Sequence, residues 1–136
     1  MGKISGPLLD RIDIHIEVPS VPFKDLSASQ SGTTSGEMRR LVMQTRAIQA
    51  KRFEGTKTRN NANMSSRMIR THCKLDDAGA NLLHSTMNEL GLSARAHDKI
   101  LRVARTIADM EGSPRIEVTH LNEAVNYRML DRNMRK

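Results

Sequence analysis

LGLSARAHDKILRVARTIADME, residues 90–111, reads as one long amphipathic helix with its start and stop written into it. Gly91 ends the preceding helix, and Ser93 opens this one, its hydroxyl placed to accept from the free amides of the first turn. Ile100, Val103, Ala104, Ile107 and Ala108 then recur at helical spacing and predict a buried stripe. Arg95 runs against the pattern. It sits in the first turn, where the macrodipole already places partial positive charge and a basic residue costs a few tenths to about 1 kcal/mol. Free amides and a guanidinium fork converge on the same oxygens, so this helix start reads as a phosphate site. The plainer alternative is a local pair between Arg95 and a carboxylate such as Asp98.

Outward from this helix the chain reads as more helices. Asp76 caps a helix whose inner face is Ala78, Leu82, Leu83, Met87 and Leu90, and Ser65 caps a short one running through Ile69 to His72. Thr34 and Glu37 form a capping box ahead of a helix over residues 36–53, in which Met38, Leu41, Val42, Thr45 and Ile48 make the expected buried stripe. After the Gly112-Ser113-Pro114 break, Thr119 is the expected cap of a last helix with Leu121, Ala124, Val125 and Met129 inward. Residues 28–36, small and polar, read as a flexible loop, and residues 131–136 as a charged tail that frays.

One segment carries a different period. Ile12, Ile14, Ile16 and Val18 alternate with Asp13, His15 and Glu17, which is the pattern of a half-buried strand. No other segment reads as a strand, and a strand without a neighbour leaves its backbone groups unpaired. The expected fold is therefore mainly α, a small helical bundle preceded by one orphan β-strand whose parent sheet lies outside the chain.

Composition narrows the function classes. At 136 residues the chain holds one ordinary core, with 38% hydrophobic residues and a formal charge of +7 that suits a phosphate-bearing partner. Two Phe, one Tyr and no Trp leave no platform for stacking single-stranded bases. Cys73 is the lone cysteine, which excludes an internal disulfide and suits a reducing compartment, and the five histidines lack metal spacing. No apolar run reaches membrane length, so a cytoplasmic protein without a membrane partner is expected. No GxxxxGK[ST] loop and no apolar run ending in paired acids occurs, so this chain is not expected to be an enzyme on its own. Arg11, flanked by Asp10 and Asp13, reads from the residues alone as one half of a local ion pair.

GPLLDRIDIHIEVP at residues 6–19, NNANMSSRMIRTHCKLD at 60–76, the central stretch and LNEAVNYRMLDR at 121–132 closely resemble the C-terminal part of magnesium-chelatase-like AAA+ ATPases of the ComM/YifB competence-protein group. The resemblance implies that residues 1–19 close the ATPase core, 20–36 link, and 37–136 form the helical lid. It implies that Arg11, in the LLDR motif, is the finger reaching a neighbouring subunit's ATP and would be catalytic there. Arg95, in the SAR motif, would sense the phosphates of its own subunit's ATP, with Ser93 supporting that helix start. ATP and Mg²⁺ would bind the full-length parent and not this piece. The partners implied are the upstream core, the other subunits of a homo-hexamer and, for the parent, DNA; the piece alone is expected to be a monomer. The substrate reading favoured is DNA remodelling in recombination or transformation. The alternatives are magnesium insertion into a tetrapyrrole and a stand-alone basic DNA-binding module, the last of which predicts tight, salt-steep DNA binding.

Overall fold

In the computed structural model, residues 5–27 and 32–129 are described. Seven α-helices occur among them: α1 (Gly6–Arg11), α2 (Phe23–Leu26), α3 (Ser35–Arg52), α4 (Ser66–His72), α5 (Asp77–Leu90), α6 (Ala94–Met110) and α7 (Val118–Asn126), with a 3-10 turn at Asn61–Asn63. The mainly helical bundle expected from periodicity is what forms. Part of the small polar loop, residues 28–31, and the charged tail, residues 131–136, lie outside the described residues.

The helix boundaries follow local chemistry. Thr34 accepts from the Glu37 amide at 3.2 Å while the Glu37 carboxylate accepts from the Thr34 amide at 2.7 Å, so two orphan amides are satisfied by one reciprocal pair. Ser65, Asp76 and Ser93 cap α4, α5 and α6 in the same sense. Gly91, at φ 58°, closes α5 in the left-handed region that a Cβ disfavours, and the Leu92 amide reaches back to the Met87 carbonyl at 3.1 Å. For α7 the expected cap is wrong by two residues. Glu117 occupies the N-cap and pairs reciprocally with His120, leaving Thr119 inside the first turn. The His120 ring supplies the acceptor that a Glu or Gln side chain usually provides.

Helix α6 is the hub, meeting α3, α4, α7 and the 3-10 turn, while α5 packs on α7. Ile100, Ala104 and Ala108 are fully buried, Ile107 nearly so, and Val103 packs against them half-buried. Small residues on α6 let its neighbours approach closely. Gly79 of α5 does the same toward α7: a Cβ there would lie 3.1 Å from the Leu121 side chain. Met129, expected inward, is exposed just beyond the end of α7.

Two expectations fail, and for the same reason. Residues 12–22 form no strand and take no regular structure; Ile12, Ile14, Ile16 and Val18 are exposed, and His15 is the residue that turns inward. Alternation records which residues were selected as apolar, but a ladder requires a neighbouring strand, and none exists among the described residues. In α3, Met38, Leu41, Val42 and Ile48 are exposed, and of the expected stripe only Thr45 is buried. This helix meets the bundle through its C-terminal half, where Thr45 and Gln49 face inward, and every residue from 35 to 44 is exposed.

Candidate functional site

The start of α6 is built by Ser93, whose hydroxyl accepts from the Ala96 amide at 3.2 Å and so orients the first turn. Arg95 follows two residues later and is exposed. Its expected local partner is engaged elsewhere. Asp98 lies 3.1 Å from Nδ1 of His97 and accepts from the Ser66 hydroxyl at 3.5 Å. Among the described residues Arg95 makes no side-chain ion pair or hydrogen bond, so its fork stands open beside the positive end of the helix.

Arg11 ends α1 and is also exposed. Of the two acids that flank it, Asp13 gives its carboxylate to Lys99, and Lys99 Nζ also donates to the Arg11 carbonyl at 3.0 Å. Lys99 lies one helical turn beyond Arg95 on the same side of α6. The structure thus ties the backbone of Arg11 to the helix that carries Arg95. The attachment continues along the chain: Arg128, itself buried, donates to the Ile12 carbonyl, and the His15 amide donates to the Tyr127 carbonyl at 2.7 Å. Residues 11–15 are a strap held across α6 and the end of α7.

A second polar cluster, which sequence reasoning missed, lies inside the bundle. Asp109 is fully buried and takes both oxygens into charged contacts: Arg52 of α3 at 2.5 and 2.7 Å and Arg105 at 3.1 Å. Asn61 donates to it at 2.9 Å, and the Gln49 amide oxygen accepts from the Asn61 backbone at 2.9 Å. Arg105 also caps the carbonyls of Ser113 and Pro114 at 2.7 and 3.2 Å, fixing the turn after α6. Burial alone would raise the Asp109 carboxyl, but hydrogen bonds from Arg52 and Asn61 and the Arg105 charge prevail and hold it below its ordinary value. The signal available in sequence is that Arg105 and Asp109 fall one turn apart within the buried arc of Leu101, Ala104 and Ala108. Charged residues in an apolar register predict a buried, fully paired cluster.

The remaining chemistry is quiet. Burial pushes the Cys73 thiol up to about 11, which leaves it protonated and unreactive at neutral pH. His120 Nδ1 accepts from the Glu117 amide at 2.9 Å, so Nε2 carries the proton toward Glu111 at 2.7 Å, a structural bridge from α7 to the end of α6. Among the described residues no group of three His, Cys, Asp or Glu side chains is placed to hold a metal ion, and no helix is long and apolar enough to cross a membrane.

The fold is a small helical bundle with an exposed arginine at the start of its central helix and a second exposed arginine whose backbone is tied to that helix. Residues 32–128 match the family described as magnesium chelatase, subunit ChlI C-terminal, and the chain belongs to that family. It is 42% identical over 137 residues to the competence protein ComM of Haemophilus influenzae, covering 100% of this chain and 26% of the relative. It is 42% identical over 133 residues to YifB of Escherichia coli, covering 97% and 26%, and 30% identical over 128 residues to Mb2921c of Mycobacterium bovis, covering 94% and 25%. The chain thus spans about a quarter of the length of the curated relatives it matches.

Proposed function

We propose that the chain is the helical lid of a magnesium-chelatase-like AAA+ ATPase, in which Arg95 senses the phosphates of the ATP held by its own subunit and Arg11 reaches the ATP of the next subunit in a hexameric ring. One observation carries the reading: Arg95 stands open at the start of α6 while Asp98, its natural local partner, is occupied by His97 and Ser66. A guanidinium paired with a carboxylate would have fewer of its five donors free for a phosphate and part of its charge already neutralised. Ser93 supports the site by fixing the first turn, and the strap fixes the backbone from which Arg11 projects. ATP and Mg²⁺ bind in the full-length protein, where the core supplies the phosphate loop and the metal-holding acids. The competence name of the Haemophilus relative favours DNA as the substrate that the ring acts on; the chelatase name of the family favours a tetrapyrrole as the second reading.

The experiment is ATP turnover by the full-length protein, wild type against Arg95→Ala and Arg11→Ala, alone and mixed. Loss of an arginine finger removes charge stabilisation that develops in the transition state, so Arg11→Ala is expected to fall by about 10³ or more in turnover. Partial recovery on mixing the two inactive variants places Arg11 across the subunit boundary and Arg95 within one. Wild-type turnover in both would reduce the two arginines to structural residues.

A further inference from the structure

The positive charge of this chain is not spread over it. Residues 37–74 hold ten of the 22 Lys+Arg and only two of the 15 Asp+Glu, a surplus of eight, whereas the rest of the chain holds 12 and 13. The whole net charge of +7 therefore resides in α3, the loop after it and α4. Of the ten cations only Arg52 is committed, to Asp109. Arg39, Arg40, Arg46, Lys51, Lys57, Arg59, Arg67, Arg70 and Lys74 are all exposed, and none makes a side-chain ion pair or hydrogen bond among the described residues. Nine like charges left open on one stretch repel one another, a standing cost unless a polyanion meets them.

Their placement is directional. At 3.6 residues per turn, Arg39, Arg40, Arg46 and Lys51 fall within an arc of about 140° on the side of α3 opposite Thr45, Gln49 and Arg52, which face the bundle. The arc runs into a cleft of about 820 Å³ lined by Arg46, Lys57, Arg59, Thr56 and Asn60, with Glu54 its lone acid. Thr58 in the same loop donates to Met68 at 3.3 Å, so α4 with its exposed Arg67 and Arg70 adjoins the cleft. An 18-residue helix is about 27 Å long, enough to lie along several successive phosphates.

We propose that this face, α3 with the 53–60 loop, binds the phosphate backbone of duplex nucleic acid without reading its sequence. Six of the nine open cations are arginines, whose planar forks match phosphate oxygens better than a lysine point charge does. Phe53, the segment's aromatic residue, is buried, so no ring is offered for stacking and single strands gain nothing over duplex. A handful of phosphate contacts from one copy gives only weak binding, on the order of 10⁻⁴ to 10⁻⁶ M at physiological salt. Several copies around a ring would multiply it by effective concentration. The proposal deepens the DNA half of the function proposed above and is separate from its ATPase half, which the Arg95 and Arg11 variants test.

The test is fluorescence anisotropy of a labelled random-sequence duplex with the 136-residue chain, titrated from about 50 to about 200 mM salt. Wild type is expected to bind with a steep salt dependence. Replacing Arg39, Arg46, Lys57 and Arg59 by Gln together should lower the slope of log K against log salt by about 3 to 4 and weaken binding at least tenfold at the low-salt end. Because these exposed side chains make no ion pair or hydrogen bond among the described residues, the circular dichroism of the variant should be unchanged. Arg46→Gln should cost more than Lys24→Gln, an exposed cation outside the segment. Equal losses from those two, a quadruple variant that binds like wild type, or competition by poly-glutamate as effective as by duplex would each overturn the proposal.

Discussion

Asp109 is a single carboxylate on which three segments of the chain converge, and the physics of that convergence makes it the most sensitive residue in the bundle. Two guanidinium groups and an amide have been taken from water to meet it. Removing the carboxylate strands Arg52 and Arg105 without a counter-charge, so Asp109→Ala is expected to cost about 3–5 kcal/mol, read as a shifted urea midpoint. The pH dependence has a definite sign. The folded carboxyl is held below its ordinary value, so the unfolded chain binds the proton more tightly. The cluster's contribution is complete above the ordinary carboxylate range, about pH 4, and is lost as pH falls through the lower folded value. Asp109→Asn should remove this acid-side loss, and a wild-type acid limb in that variant would exclude Asp109 as its source. At this scale the sequence was legible where chemistry is local, as at Ser93, whose hydroxyl caps α6. It was opaque where a side chain's partner lies far along the chain, as with Arg52 and Asp109, or with Asp13, whose partner is Lys99 and not its neighbour Arg11.

Helices α3 and α6 have similar lengths and comparable apolar spacing in sequence, yet they end in opposite environments. Periodicity identifies the face of a helix that can be buried; whether it is buried depends on what the tertiary fold brings against it. For α6, every neighbour arrives, and Ile100 is fully enclosed. For α3, the stripe extends past the bundle, and Leu41 and Val42 are left exposed. Capping, by contrast, involves residues three apart, and Thr34, Ser65, Asp76 and Ser93 all act as their sequence context predicts. The contrast gives a paired prediction for the isolated chain. Ile100→Ala should cost about 2–5 kcal/mol through the cavity it leaves. Val42→Lys, nominally the harsher change, should stay within about 0.5 kcal/mol because Val42 is 48% exposed and lies outside the packed core. Comparable destabilisation by the two would mean that the N-terminal half of α3 is covered in solution.

Across the whole molecule, the bundle and the strap are two parts with different anchors. The bundle is held by apolar packing around α6 and the buried Asp109 cluster, whereas residues 11–15 are held by polar contacts: Lys99 to Asp13 and the Arg11 carbonyl, Arg128 to the Ile12 carbonyl, and the His15 amide to Tyr127. Parts anchored so differently open independently, since local opening follows the weakest set of contacts. Lys99→Ala is therefore expected to speed hydrogen exchange at the amides of residues 12–16 while moving the urea midpoint by less than about 1 kcal/mol, the scale of a partly exposed polar contact. A functional consequence follows from the role proposed for Arg11. Arg11 projects from the strap, so in the full-length protein Lys99→Ala should depress ATP turnover with both arginines still present, because a guanidinium misplaced by about 1 Å loses much of its effect on a transition state. Lys99→Arg, which keeps the donor, should restore part of it. If Lys99→Ala exchanges faster at the strap yet turns over ATP like wild type, the strap does not position Arg11, and the backbone attachment seen here serves the fold alone.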